Sequence, residues 1–363
     1  MKILHIISSP AAGGAEVFVK DLSKEQVAKG NEVVIVFLED AYESNRDIGY
    51  EDKYLADLSS IGIEAIFLGP SARKKPWLAI LRLKRILSLF KPDICHVHLY
   101  WGLLFLVFIR KKFKVIYTHH NILLRCNPSF YFLWNLKVDR YVGISRACFN
   151  LLDAVATKPI DLIYNGVSKD RMVLSRQRSF KKSNDQVIKL IAVGALTKQK
   201  NYTLMLSSLS QVVEFNWILE IAGEGPLRKQ LELEIKDLKL DGRVTLLGNV
   251  TNIPEILNEA DAYLMSSSWE GLPIALIEAS MSGLPVLVTD VGGCAEVVNL
   301  LDNGTVVQQL NVKDYSAKLK DFLSDKISLA NYSHNSLNKS DHLSIDVSAC
   351  LHEKCYFEAL NSN

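Results

Sequence analysis

Strand-length apolar runs recur along the chain with helix-length segments between them, first at residues 3–7, 32–38, 65–68, 94–98, 115–118 and 141–144. A second series occupies 188–193, 217–222, 244–247, 262–265, 285–289 and 305–307. Short, continuously apolar strands alternating with helices build parallel sheets that helices cover on both faces. Two such series, divided by the polar stretch 179–185, predict two α/β domains in tandem. A spaced apolar pattern over 347–360 (Val347, Leu351, Cys355, Phe357, Leu360) predicts a terminal helix.

A length of 363 residues, 48% hydrophobic and 23% charged, is enough to bury two cores. The apolar start, residues 1–7, is too short and wrongly flanked for a signal peptide and reads as a buried first strand. The stretch 101–109 is about half the length of a membrane-spanning helix. Cys95, Cys126, Cys148, Cys294, Cys350 and Cys355 form no C-x-x-C pair, which points to a reducing, cytoplasmic setting.

Ligands of doubly wound sheets bind beyond the carboxyl ends of the strands, so tandem domains predict a cleft lined by post-strand loops. The densest such loop runs from Ser266 to Pro273 and continues into a helix expected over 273–282, with Pro273 at its first position and Gly283 as its stop. The amides of Gly271 and Leu272, at the positive end of that helix, suit an anion or a sugar hydroxyl. Glu270 sits on the loop and Glu278 about one and a half turns into the helix. Carboxylates accept well from vicinal hydroxyls, although taken alone both residues read equally well as ordinary surface charges.

Other loops carry weaker signals. Gly292-Gly293 follows a strand, where a glycine pair more often serves packing than ligand approach. Gly13-Gly14 follows the first strand without G-x-G-x-x-G spacing, and no G-x-x-x-x-G-K-[ST] occurs, so nicotinamide, flavin and P-loop chemistries are disfavoured. Lys200, on the loop after the first strand of the second series, and its neighbour Lys198 are candidates to neutralise a diphosphate. His96 and His98 face the same way and, with His119 and His120, suggest a metal site only weakly, since no carboxylate or cysteine stands at ligand spacing.

In order, these elements resemble the retaining glycosyltransferases of family 4 (glycosyl transferases group 1), which have the GT-B fold. The resemblance rests on Glu270 and Glu278 as an E-x7-E pair, on 223–227 (GEGPL), 246–250 (LLGNV), 13–16 (GGAE), 92–98 (PDICHVH), 118–121 (THHN) and 164–167 (YNGV). It implies two Rossmann-like domains facing a cleft: 1–167 for the acceptor, 168–345 for the nucleotide-sugar donor, and a helix over 346–363 returning to the first domain. By position it implies catalytic roles for Glu270, Lys200 and His120, with Glu270 on the donor sugar, Lys200 on the diphosphate and His120 near the reacting centre. It places Gly14, Gly194, Lys198, Gly271, Leu272 and Pro273 near sugar and phosphates, Gly248, Asn249 and Val250 near the base, and Glu278 on the ribose. No metal or other cofactor is implied.

One departure stands out: the family usually has arginine after the glycine of the Val-Gly strand end, and here Ala195 follows Gly194, leaving Lys198 or Arg146 to compensate. The expected partners are a nucleotide-sugar donor, UDP-linked by preference, and a glycan or lipid-linked glycan acceptor of bacterial surface polysaccharide or lipopolysaccharide. A GT-B-like nucleotide-sugar epimerase and a non-catalytic glycan-binding or partner subunit are the alternatives. Nucleic acid is not expected, for want of any recognition module.

The net charge is only +2, but residues 73–114 hold eleven of the lysines and arginines, among them Arg73, Lys74, Lys75, Lys84 and Lys112, against the single acid Asp93. Apolar residues interleave with them from Trp77 to Leu87. That is the pattern of an amphipathic helix on anionic lipid, hence an expected peripheral site on the inner face of the cytoplasmic membrane; the alternative is a domain helix with a solvated basic face.

Overall fold

The computed structural model describes residues 1–43, 48–69, 72–124, 127–172, 175–180 and 186–362. Cys126 and residues 181–185 of the polar divide lie outside the described residues. The chain forms two compact units, one made of Met1–Gly166 with Ile345–Asn363 and the other of Val167–Ser344.

The first unit holds β1 (Lys2–Ile7), β2 (Glu32–Phe37), β3 (Glu64–Phe67), β4 (Ile94–Val97), β5 (Lys114–His119), β6 (Arg140–Gly143) and β7 (Ile160–Leu162). They form one parallel sheet in the order β3-β2-β1-β4-β5-β6-β7. Five of the six residues of β1 are buried, because helices close over both faces of a central parallel strand. The edge strand β7 escapes the apolar pattern: it has three residues, all half-buried, with Asp161 in the middle held by Arg140 at 2.8 and 2.9 Å. The helix Ile345–Asn361 packs on the helix Gly14–Ala28 of the same unit, burying Ile345, Ala349, Cys355 and Tyr356.

The second unit holds β8 (Ile188–Val193), β9 (Trp217–Ala222), β10 (Val244–Gly248), β11 (Ala262–Met265), β12 (Val286–Thr289) and β13 (Gly304–Val307). Its parallel sheet runs β10-β9-β8-β11-β12-β13. Leu190, Leu219, Ile221, Leu264 and Leu287 meet the helix residues Met205, Leu209, Leu231 and Leu319 in a single core. Trp217 is fully buried, donates from Nε1 to the Val212 carbonyl at 3.0 Å, and carries the Arg243 guanidinium 4.1 Å from its ring. Its apolar body is thus buried with its one polar atom satisfied.

Arg178 enters this unit as a buried cation with no carboxylate in the hydrogen-bond set. Its five N–H groups donate to the carbonyls of Ala260, Arg176, Ser282, Leu257 and Asn258. Most of these lie at the C-terminal ends of the helices Ile253–Glu259 and Ile274–Met281, where unsatisfied carbonyls gather negative potential. Burial still lowers the Arg178 pKa to about 10.

The helix expected from Trp77 to Leu87 is Pro76–Phe90, buried at Ala79, Leu83 and Leu87, but the basic stretch extends well beyond it. It spans the helix Pro76–Phe90, β4, the helix Tyr100–Val107 and the start of β5, and several of its cations are used inside the unit. Arg73 pairs with Glu39, Arg82 donates to the Leu68 carbonyl, and Lys111 sits 2.5 Å from Asp139. Among the described residues, no helix is long and apolar enough to cross a membrane.

Candidate functional site

In the six-stranded sheet the chain leaves β8 toward β9 on one side and β11 lies on the other, so the strand order reverses between β8 and β11. Such a switch point opens a crevice at the strands' carboxyl ends. The loops after these two strands carry Lys200 and Glu270. Their backbones are tied together: Ser268 N donates to the Gln199 carbonyl at 2.8 Å, and Ser266 Oγ bonds the carbonyls of Lys200 and Asn201, both at 2.9 Å.

The side chains meet as well. Lys200 Nζ lies 2.7 Å from Glu270 Oε1, which also accepts from Ser267 Oγ at 2.8 Å, while Gln199 Nε2 reaches Glu270 Oε2 at 3.2 Å. The pair is largely buried, with side-chain exposures of 16% and 8%. Glu270 is therefore a fixed carboxylate at the switch point and not a solvated loop charge.

Glycines make that fixation possible. Gly292 has φ +55°, and a Cβ there would sit 1.9 Å from the Glu270 carbonyl oxygen; its neighbour Gly293 donates to the Gly271 carbonyl at 2.8 Å. The glycine pair serves close packing, and what it packs is the Glu270 loop. Gly194, at φ +152°, leaves room for the Lys200 stem, whose Cε would lie 2.6 Å from an added Cβ.

The helix after Glu270 runs Ile274–Met281, one residue shorter at each end than the sequence suggests. Pro273 is extended, with ψ 117°, and so takes the capping position outside the first turn. Gly271 and Leu272 are buried residues, and their amides donate to no acceptor among the described residues. A buried donor without a partner carries a desolvation cost, which a ligand oxygen relieves. Glu278, 6% exposed, is paired with Arg171 from the short 3-10 turn Lys169–Met172, a partner that no spacing in the sequence signals.

The remaining donor-site candidates of this unit lie at neighbouring strand ends. Gly248 closes β10 with φ +76° and accepts from Gly223 N at 2.8 Å; Asn249 is exposed and Val250 half-buried. Lys198 and Ala195 are exposed on the loop after β8. Arg146 begins the helix Arg146–Asp153 of the other unit.

In the seven-stranded sheet the order reverses between β1 and β4. Gly14, exposed, opens the helix after β1, and Glu16 on that helix accepts from Ser8 Oγ at 2.5 Å. His120 follows β5 directly and is half-buried. His119 is buried and contacts Tyr117 Oη at 3.2 Å. Behind His120 the sequence hides a histidine cluster: His96 and His98 rings stand 4.1 Å apart, joined by His5 of β1 and His352 of the terminal helix.

Burial lowers the pKa of His5 and His352 to about 4 and of His120 to about 3, and puts His96 and His98 well below the ordinary imidazole range. All five are neutral at neutral pH. Nitrogens of His5, His96 and His98 lie within 4.8 Å of one another, and each ring is hydrogen-bonded at both nitrogens to neighbouring side chains.

Two family models match the chain in succession: Glycosyltransferase Family 4 over residues 12–171 and Glycosyl transferases group 1 over residues 175–339. Together they cover most of the sequence, and the chain belongs to this family of glycosyltransferases. A relative from Escherichia coli, UDP-Gal:alpha-D-GlcNAc-diphosphoundecaprenol alpha-1,3-galactosyltransferase, is 28% identical over 64% of this chain and 61% of its own length. The chain thus spans about three fifths of that relative. A Campylobacter jejuni alpha-1,4-N-acetyl-D-galactosaminyltransferase, named for a diphosphoundecaprenol-linked substrate, is 26% identical over 77% of this chain and 76% of its own. Among solved structures, Anabaena HepE in complex with UDP and glucose superimposes with a TM-score of 0.79 at 16% identity, covering 98% of this chain and 99% of that one. The fold is GT-B.

Proposed function

We propose that the chain transfers a sugar from a UDP-sugar to a lipid-linked glycan in bacterial surface-polysaccharide synthesis, with retention of anomeric configuration and without a divalent metal. The observation that carries this reading is the buried Lys200–Glu270 pair beside the unpartnered amides of Gly271 and Leu272. It combines an anion site and a hydroxyl acceptor within one switch-point crevice. The named substrates of the Escherichia coli and Campylobacter jejuni relatives support a lipid diphosphate acceptor, and UDP in the Anabaena protein supports the donor.

In this mechanism the donor diphosphate takes over Lys200 from Glu270 and receives hydrogen bonds from the Gly271 and Leu272 amides. Glu270, released from its lysine, accepts from a hydroxyl of the donor sugar. Glu278 accepts from the ribose while Arg171 holds its carboxylate, since an ionised carboxylate has room for about four hydrogen bonds. As the sugar–phosphate bond breaks, negative charge grows on the diphosphate and an oxocarbenium-like sugar forms. Fixed donors aimed at that growing charge lower the barrier, and the acceptor hydroxyl attacks from the face the diphosphate leaves, passing its proton to the departing diphosphate oxygen. Within the second unit, Gly248, Asn249 and Val250 border the base; in the first unit, Gly14 and His120, at the carboxyl ends of β1 and β5, serve substrate binding. With Ala195 in place of an arginine, the diphosphate depends on Lys200, the helix-terminal amides and the exposed Lys198.

A lipid-linked acceptor calls for a membrane-facing surface, and in this reading a groove of the first unit serves as one. Trp77, Ile80, Leu81, Leu104 and Phe108 line an apolar groove of about 640 Å³ between the helices Pro76–Phe90 and Tyr100–Val107. Exposed cations without an ion-pair partner among the described residues flank it in sequence: Lys74 and Lys75 before Pro76, Arg110 and Lys112 after Phe108. Apolar side chains between cations suit an anionic bilayer surface.

Incubation with radiolabelled UDP-, GDP- and ADP-sugars and an undecaprenyl-diphosphate-linked sugar tests the assignment. Transfer from a UDP-sugar with retained configuration is expected. Release of an altered sugar marks an epimerase instead, and binding without turnover a non-catalytic glycan-binding or partner subunit.

A further inference from the structure

Four histidines of the first unit, His5, His96, His98 and His120, belong to one continuous hydrogen-bonded line. Gln26 donates from Nε2 to Tyr356 Oη at 3.1 Å and presents Oε1 to His5 Nε2 at 2.8 Å. His5 Nδ1 lies 3.0 Å from His98 Nε2, and His98 Nδ1 lies 3.0 Å from His120 Nε2. Tyr356 Oη continues on the other side to His96 Nδ1 at 2.7 Å, and His96 Nε2 to Thr118 Oγ1 at 2.6 Å. The line passes through Tyr356 of the terminal helix and ends at His120, whose Nδ1 is shielded from solvent and has no hydrogen-bond partner.

A neutral imidazole has one donor nitrogen and one acceptor nitrogen. In an unbroken line of neutral rings a choice at one link therefore settles every other. Gln26 makes that choice, because its amide has a donor end and an acceptor end. With Oε1 toward His5, the proton of His5 is on Nε2 and its Nδ1 is a bare acceptor. His98 must then carry its proton on Nε2, and His120 likewise, which leaves Nδ1 of His120 as a lone pair. Tyr356 closes the other end of the amide, accepting from Nε2 and donating to His96 Nδ1, so that the whole line runs in one direction. Reversing the amide would reverse every link and turn His120 Nδ1 into a donor.

We propose that Gln26, His5 and His98, anchored by Tyr356, are positioning residues that fix the tautomer of His120 and hold its Nδ1 as the acceptor for a hydroxyl of the bound substrate. The inference deepens the transferase reading, since it rests on substrate binding at the strand ends of the first unit. The line joins residues of β1 and β4, the strands that border the switch point, and its free end stands just past the carboxyl end of β5, the ligand side of a doubly wound sheet. A buried acceptor left without a partner costs stability, and a substrate hydroxyl is the group that fills such a gap. A wrong tautomer in an otherwise intact site removes the contact without moving the ring.

Two measurements test it. In the full chain labelled with 15N-histidine, long-range proton–nitrogen spectra assign each ring: His5, His98 and His120 are expected to carry their protons on Nε2. A proton on His120 Nδ1, or an even mixture, overturns the proposal whether or not the protein turns over any donor. In the transfer assay, Gln26→Leu is expected to lower kcat about tenfold, the weight of one hydrogen bond, with KM for the UDP-sugar changed less than about twofold, and Gln26→Glu, which still accepts from His5, to recover most of the loss. Gln26→Leu at full kcat in a protein that His120→Ala inactivates defeats the relay and spares the transferase reading. His120→Ala at full activity defeats the substrate contact on which the relay depends.

Discussion

Lys200 Nζ and Glu270 Oε1 lie 2.7 Å apart across 70 residues of sequence, each on a loop that follows a different strand bordering the switch point of the six-stranded sheet. Because both side chains are mostly buried, removing one charge strands the other. Lys200→Met is expected to destabilise the second unit by about 3 kcal/mol and to lower transfer about a hundredfold through lost diphosphate stabilisation. Adding Glu270→Gln should restore most of the thermal midpoint and none of the turnover. A double variant that regains activity would mean that the pair serves folding alone.

Arg178 offers a separate test of what holds that unit together. Its guanidinium satisfies carbonyls at two helix ends, and Met172 of the same unit lies against one of them through Ser282. Arg178→Met keeps an unbranched apolar stem and removes all five donors. Hydrogen bonds to a charged group are worth about 1.5–3 kcal/mol each, and after relaxation the expected loss is about 4 kcal/mol. For a unit of this size that lowers the thermal midpoint by roughly 10 °C. Calorimetry showing a change of under about 2 °C would refute it.

Acid should unfold the first unit through its histidines. In the unfolded chain an imidazole protonates near its ordinary pH of about 6.5, whereas folded His5 and His352 resist protonation until about pH 4 and His120 until about pH 3. The unfolded state then binds more protons than the folded one between these limits. The stability contributed is complete above about pH 6.5 and is lost as pH falls toward 4, by at most about 1.4 kcal/mol per pH unit for each ring. Denaturant titrations between pH 7 and 4 read this slope. His352→Gln removes one ring outside the relay and should make the slope shallower; an unchanged slope would show that His352 does not contribute.

Most of the sheet structure was legible in the sequence because parallel, doubly covered strands are apolar from end to end. The bounds of β8, β9 and β11 follow from the apolar runs alone. The edge strand β7 did not, since Asp161 interrupts it and its stability comes from Arg140 and from pairing with β6. Glu270, Lys200 and Glu278 were legible as loop and helix carboxylates and a loop cation, but their partners were not. Arg171, Gln199 and Ser267 are ordinary residues until the fold brings them to a carboxylate, and His5 sits inside an apolar strand with nothing beside it in sequence to mark a network. Long-range side-chain pairing has no local signature.

The groove beside Trp77 gives the last expectation. Trp77, Leu81 and Phe108 are 60%, 62% and 67% exposed, an arrangement that leaves apolar area in water unless a partner covers it. Burying one such side chain is worth about 1.5–3 kcal/mol. Trp77→Ser with Phe108→Ser is therefore expected to weaken co-sedimentation with vesicles containing anionic lipid by at least about tenfold. Replacing Lys74, Lys75, Arg110 and Lys112 by glutamine should remove the dependence on anionic lipid and on salt, while transfer to a short-chain, water-soluble acceptor stays unchanged because none of these residues belongs to the donor site. Binding that ignores both sets of substitutions would place membrane contact elsewhere on the chain.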